Sequence, residues 1–229
     1  MDQKDDLLTD VMQVATEAGH IMLENGAEIF RVEETMERIT RHYGIDTGHF
    51  FVLSNGILTS GGNRYSNVEF IPFKGAQLEK VVAVNRLSRE IEKGGCSIQD
   101  ARERLADIRN MKSKPFLEQV MGSAVGSGAF CAIFGGSLLD CAASFVTGLL
   151  LYVFVLLVSR RGMSKIVTNI LGSILATSLS VVFMNIGFGE HPGNMIIGSL
   201  IPLIPGVPFT NGIRDLANED YIAGSTRMI

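Results

Sequence analysis

The chain has 229 residues, 46% of them hydrophobic, and a positive mean hydropathy, which favours a membrane protein over a soluble enzyme. Its net charge of -4, without a basic cluster, excludes an electrostatic surface for nucleic acid. The three cysteines, Cys96, Cys131 and Cys141, lack metal-ligand spacing and are expected to be unpaired. We therefore expect no metal and no cofactor.

Charge is distributed unevenly along the chain. Most charged residues precede Phe116, and long uncharged segments follow it. This asymmetry predicts a soluble domain over 1–115 and a transmembrane helical domain over 116–229. The N-terminus has no apolar signal-peptide core, so the first domain is expected to stay in the cytoplasm.

The first domain is predicted to have an α+β fold of helices and one short β-hairpin. Apolar spacing predicts helices over 5–24, 28–44, 76–93 and 97–111. Two strands are predicted at 50–53 and 68–71, with the hairpin turn near Gly61-Gly62-Asn63. Ser97, followed three residues later by Asp100, predicts a helix N-cap.

The second domain is predicted to be all-α and multi-pass. Each of its apolar segments has about twenty uncharged residues, enough to span a bilayer. The segments are 119–139, 141–159, 166–189 and 194–213. The positive-inside rule places the basic loop 159–165 in the cytoplasm, the loop 187–194 outside, and 213–220 inside again.

The last apolar segment is interrupted by prolines at 202, 205 and 208. Backbone that cannot form a regular helix is tolerated in a bilayer only where protein buries it or where it lines a wet cavity. The segment therefore predicts a substrate pathway. Its candidate residues are Pro205, Gly206, Thr210, Asn211, Arg214 and Asp215.

Arg214 is the candidate group for holding a substrate carboxylate. A guanidinium binds carboxylates in a bidentate geometry, and a short helix would display Asn211, Arg214 and Asp215 on one face. The alternative is that Arg214 and Asp215 form a pair that only anchors a helix end.

Two further polar residues at membrane depth are pathway candidates. Asp140 is the only charged residue between Val120 and Arg160, and an intramembrane carboxylate usually faces a cavity or a partner. Alternatively, Asp140 lies at the outer interface and caps the second span. Asn169 is expected either to contact solute or to bond a neighbouring helix.

Small residues at close-packing spacing predict helix contacts within the membrane domain. They are Gly122, Gly126 and Ala129 in the first span, and Gly172 and Ala176 in the third.

Short motifs occur in a fixed order along nearly the whole chain. They are Asn25-Gly26-Ala27-Glu28, Arg31-Val32-Glu33, Val84-Asn85-Arg86-Leu87-Ser88, Ala101-Arg102-Glu103-Arg104-Leu105, Phe134-Gly135-Gly136, Pro205-Gly206 and Thr210-Asn211-Gly212-Ile213-Arg214-Asp215. In order and spacing they resemble the threonine/serine exporter family, and the chain resembles the larger module of that family.

The resemblance implies an exporter subunit in the bacterial inner membrane, without enzymatic activity. Its expected solutes are small carboxylate-bearing metabolites such as threonine, serine or succinate. Its expected partner is a small integral-membrane subunit of the same family, and an oligomer is compatible with it. In the family a fifth span follows a stretch similar to 220–227, so this chain, whose sequence stops at Ile229, is expected to hold at most a truncated fifth span.

Two other functions are compatible with parts of the sequence. A membrane-anchored sensor would signal through the soluble domain. An intramembrane hydrolase would need Ser127 and His191 in contact, but the predicted topology places Ser127 inside a span and His191 in the outer loop.

Overall fold

The computed structural model describes residues 2–62 and 65–228, with side chains from Asp6 onward. Its described part is mostly helical and contains one small antiparallel sheet. The helices and strands of the chain up to residue 109 are α1 Asp2–Glu24, α2 Ile29–His42, β1 Gly48–Leu53, β2 Gly56–Gly61, β3 Tyr65–Phe70, α3 Leu78–Glu92 and α4 Ile98–Arg109. They are followed by α5 Phe116–Ile133, α6 Leu138–Ser159, α7 Lys165–Asn185, α8 Pro192–Leu200, a 3-10 turn Ile201–Leu203, α9 Gly206–Ala217 and α10 Tyr221–Met228.

The chain divides into two compact units. One comprises Met1–Ser113 together with Gly206–Ile229, and the other comprises Lys114–Pro205. The last two helices, α9 and α10, therefore pack with the first part of the chain. The division into domains 1–115 and 116–229 stays a prediction.

The sheet has three strands in the order β1-β2-β3, whereas the sequence predicted two. The missing strand is β2, which pairs with β1 through Phe50 and Thr59 and with β3 through Leu58 and Val68. The prediction was wrong because the short turn after Leu53 was overlooked and the apolar residues of β2 were assigned to a loop. Asn63, part of the predicted turn, lies outside the described residues.

The first unit has a continuous apolar core formed by α1 and α2 with the sheet, α3 and α4. Fully buried side chains from each helix meet in it, including Met22, Met36, Leu87 and Leu105. The helix predictions for this part are confirmed to within a few residues. The predicted cap is also confirmed, since Asp100 N donates to Ser97 Oγ and Ser97 N donates back to the Asp100 carboxylate.

Three helices of the second unit are long and apolar enough to cross a membrane, namely α5, α6 and α7. A fourth span exists only if α8 with its 3-10 turn is counted together with α9 despite the break between them. Nine α-helical residues in α8 extend only about 14 Å, half of the hydrocarbon thickness. The break falls at Ile204 and Pro205, inside the segment whose prolines predicted an interruption.

Helices α5, α6 and α8 meet along a seam of small residues. A β-carbon added at Gly148 would overlap the Ser127 side chain, and one added at Gly198 would lie 2.7 Å from Ser144 Oγ. Ser144 Oγ also lies 3.1 Å from Ser127 O and 3.2 Å from Ser199 Oγ. We call the contact formed by these five residues the small-residue seam.

The predicted small-residue contacts are only partly correct. Gly122 and Gly126 face open space, so α5 approaches its neighbours through other positions. In α7 the prediction holds, because a β-carbon at Gly172 would lie 3.1 Å from Leu151 Cδ1 and 3.2 Å from Leu203 Cδ1. The error arose because spacing alone does not give the rotation of a helix about its own axis.

Candidate functional site

The turn between α1 and α2 is the centre of the candidate site. Gly26 has a φ of +85°, a conformation that glycine adopts readily, and Ala27 N closes the turn by donating to Met22 O over 3.0 Å. The carbonyl groups of Gly26 and Ala27 accept hydrogen bonds from the two C-terminal helices. Asn211 Nδ2 of α9 donates to Gly26 O over 2.7 Å, and Arg227 Nη2 of α10 donates to Ala27 O over 2.8 Å.

Two ion pairs reinforce this contact. The Arg214 guanidinium pairs with the carboxylate of Glu28, whose side chain is 15% exposed. Arg227 Nε lies 3.2 Å from Asp215 Oδ2; the Asp215 side chain is buried and that of Arg227 is 11% exposed. The alternative in which Arg214 pairs with Asp215 is therefore wrong. The two residues are neighbours on a helix, and adjacent helical residues do not face each other.

An open cleft of about 260 Å³ lies on one side of the turn. Its polar lining comes from Glu28, Arg31, Asn85 and Asn211, which belong to the α1–α2 turn, α2, α3 and α9. Its apolar lining includes Leu78, Val81 and Val82 of α3. We call this the Glu28 cleft.

The polar groups of the Glu28 cleft have unequal numbers of protein partners. Within the described part of the chain, the Arg31 guanidinium has no hydrogen-bond or ion-pair partner. Asn85 Oδ1 accepts from Arg38 Nη1 over 3.4 Å, which leaves the Asn85 amide protons available. Asn211 uses its amide nitrogen on Gly26 O, which leaves its carbonyl oxygen as an acceptor.

A second cavity, of about 290 Å³, lies on another side of the same turn. Its lining includes Gly26, Phe73, Pro208, Thr226 and Arg227. The hydroxyl of Thr226 is engaged with Ile222 O, and the Arg227 guanidinium with Ala27 O. Ser54 and Asn55 also line this cavity, and among its described lining residues only Arg227 is charged.

Glu33 connects the turn region to the sheet. Its Oε1 accepts a hydrogen bond from Val52 N over 3.0 Å, which joins α2 to β1. Burial raises the pKa of the Glu33 carboxyl group, and the hydrogen bond from Val52 opposes that rise. The contact fixes the position of α2, and with it that of Arg31.

Asp140 belongs to the second unit and is completely buried. Its carboxylate accepts from Ser137 N (2.9 Å), Glu190 N (2.7 Å), His191 N (3.0 Å) and His191 Nδ1 (2.9 Å). Asp140 N in turn donates to Ser137 Oγ, which completes a capping box at the start of α6. All its acceptor positions are occupied, so this carboxylate has a structural role in joining two loops.

The remaining predicted pathway residues are not among the described lining residues of the Glu28 cleft. Asn169 is exposed on α7 and takes no part in the hydrogen bonds of Asp140. Pro205, Gly206 and Thr210 are exposed around the start of α9. Asn169, Pro205, Gly206 and Thr210 therefore stay predicted pathway residues.

Sequence reasoning missed Arg31, Asn85 and Arg227 as site residues. For the first two a signal existed, because each belongs to one of the short motifs that carry the family resemblance. Four of these motifs, at 25–28, 31–33, 84–88 and 210–215, meet around the Gly26 turn. No comparable signal marked Arg227.

Apolar helices of membrane-spanning length are features of an integral membrane protein. Residues 13–229 match the ThrE family, described as "Putative threonine/serine exporter". The chain belongs to this family.

Curated relatives are similar over most of the chain. A "Probable succinate transporter subunit YjjP" of Klebsiella aerogenes is 21% identical over 95% of this chain and 85% of its own length. The YjjP protein of Escherichia coli is 20% identical, with 86% of its length covered. A "Threonine/serine exporter" of Corynebacterium glutamicum is 22% identical over 95% of this chain, which spans 47% of that protein. No solved structure matches.

These relatives are transporters rather than enzymes. His191 Nδ1 contacts Asp140, whereas Ser127 Oγ is buried and has no hydrogen-bond partner among the described residues. The two do not form the contact that a hydrolase would require.

Proposed function

We propose that this chain is one subunit of a bacterial inner-membrane exporter of small carboxylate-bearing metabolites, and that it acts with a small integral-membrane partner. The observation that carries the proposal is the family match, which extends over 13–229 and so covers parts of both compact units.

The need for a partner is supported by the named relatives. The YjjP proteins are described as subunits of a transporter, and this chain covers 85% of the first of them. The Corynebacterium glutamicum exporter is a longer protein, of which this chain spans 47%.

The charge pattern supports the proposed orientation. Arg160, Arg161 and Lys165 form a basic loop between α6 and α7, and the loop from Gly187 to Asn194 has no Lys or Arg. The positive-inside rule then places the first loop and the N-terminus in the cytoplasm. Solute would enter from the side that carries the Gly26 turn.

Two features of the first unit suit an inner entrance. The Glu28 cleft presents the Arg31 guanidinium, which has no partner among the described residues, and Arg214 forms an ion pair that joins α9 to the Gly26 turn. Carboxylates are bound well by planar guanidinium groups. Asn211, Arg214 and Asp215 thus remain the proposed pathway residues, and Glu28 and Arg31 join them.

An efflux assay tests the proposal. Cells lacking the native exporter are loaded with radiolabelled threonine, serine or succinate and express this chain with the small partner, the chain alone, or neither. We expect faster loss of at least one solute only when both subunits are present. Equal retention of all three solutes in the co-expressing and deletion cells would refute the export function.

A further inference from the structure

We propose that the Glu28 cleft is a binding site for the zwitterion of a small α-amino acid, with threonine as the best fit. This assignment rests on the proposed export function for its choice of solutes. It goes further by naming the site, the solute class and the group that binds each end of the solute.

The donors of the cleft define the carboxylate end. Arg31 lies in the first turn of α2, lines the cleft, and is left without a partner by the described residues. The Asn85 amide also lines the cleft, and its oxygen is held by Arg38 so that its NH₂ group can donate elsewhere. A guanidinium and an amide NH₂ together suit one carboxylate group.

The acceptors define the ammonium end. Glu28 has one carboxylate oxygen on Arg214, and its other oxygen remains available to a donor. The Asn211 carbonyl oxygen is directed by the bond from Asn211 Nδ2 to Gly26 O, and it has no protein donor within the described part. An ammonium group supplies three donors and fits between two such acceptors.

The separation of donors from acceptors favours an amino acid over a dicarboxylate. Arg31 and the Asn85 amide supply donors, whereas the second Glu28 oxygen and the Asn211 carbonyl oxygen supply acceptors. A dicarboxylate such as succinate would place its second carboxylate against these two acceptors, which have no proton to donate to it. A zwitterion presents opposite charges to the two sides.

The remaining wall of the cleft suits a short side chain with a methyl group. Leu78, Val81 and Val82 of α3 supply apolar contacts, and the volume of about 260 Å³ accommodates a four-carbon solute. Threonine has a β-methyl group that serine lacks. We therefore expect threonine to bind several-fold more tightly than serine.

Equilibrium binding of radiolabelled L-threonine to the purified full chain in detergent tests the assignment. Arg31→Gln should weaken binding by about tenfold or more, because a charge-assisted pair is lost. Arg41→Gln is the matched control, since Arg41 lies on the same helix, is 75% exposed and pairs only with the nearby Glu37 among described partners. Asn85→Ala gives a second, smaller loss.

Competition experiments test the two ends of the solute separately. Serine should displace threonine, whereas 3-hydroxybutyrate, which lacks the ammonium group, and threonine methyl ester, which lacks the carboxylate, should compete at least about tenfold less well. Succinate binding more tightly than threonine would overturn the amino-acid assignment. Unchanged threonine binding in Arg31→Gln, with the same thermal midpoint as the control, would overturn the site.

The binding site and the export function can be refuted independently of each other. If co-expressing cells export none of the solutes while Arg31-dependent threonine binding holds, the site stands and the export function is refuted. If cells export threonine and Arg31→Gln exports it at the wild-type rate, the export function stands and the site is refuted.

Discussion

Removal of the Asp140 carboxylate should destabilise the second unit strongly. The side chain is completely buried and accepts three main-chain N–H bonds and one from His191. In Asp140→Ala these donors lose their acceptor together. A buried donor left without a partner costs about 1–3 kcal/mol.

The four losses are not additive, because the loop around Glu190 and His191 can shift and admit water. Loss of the helix cap alone accounts for about 0.5–2 kcal/mol. We expect Asp140→Ala to lower the free energy of unfolding by about 3–5 kcal/mol, as breakage of other buried charged networks does. Asp140→Asn should lower it by less, about 1–3 kcal/mol, since one oxygen still accepts.

The assay is unfolding of the full chain in detergent, followed by helical circular dichroism as denaturant is added. Glu118→Gln in the same unit is the control, because Glu118 is 60% exposed and its ion pair with Lys114 spans 3.8 Å. The reasoning is refuted if Asp140→Ala unfolds at the same denaturant concentration as Glu118→Gln. A variant of normal stability and membrane abundance that fails to export would instead assign Asp140 to the solute pathway.

Three further predictions concern other parts of the chain. Gly148→Ala should destabilise the protein by about 1–3 kcal/mol, since its β-carbon overlaps the facing helix. Gly122→Ala is the control and should leave stability unchanged, because its β-carbon meets open space. Equal thermal midpoints for the two variants would contradict this prediction. Arg214→Ala should reduce efflux per unit of membrane protein more than Arg214→Lys, which keeps the charge of the ion pair, and equal losses would show that the charge is unimportant. In a background without native cysteines, Glu190→Cys should react with an impermeant thiol reagent added outside the cell, and Arg161→Cys should not. Labelling of Arg161→Cys alone would show that the orientation is the reverse of the proposed one.

Local signals explain why most helices could be predicted. Helices α3 and α4 have apolar positions at helical spacing and, for α4, a capping box read from Ser97 and Asp100. Strand β2 has only Ile57 and Leu58 as large apolar residues between two glycines, so its assignment depends on pairing with β1 and β3. Pairing partners are a tertiary property, which periodicity does not contain.

The candidate site was predictable only in part. The polar residues at 211, 214 and 215 could be grouped because they lie within one helix. Their partners could not, since the bond from Asn211 to Gly26 joins residues 185 positions apart. The pair of Arg214 with Asp215, held open as an alternative, does not form, because each side chain pairs with the segment that folds against its own face of α9.

The small-residue seam also restricts how such a transporter can alternate between states. An exporter must expose its solute site first to one side of the membrane and then to the other, usually by movement of one group of helices against another. At Gly148 and Gly198 helices α5, α6 and α8 are too close to part without breaking the hydrogen bonds of Ser144. These three helices should therefore move as one rigid body, so that conformational exchange is not expected within the seam.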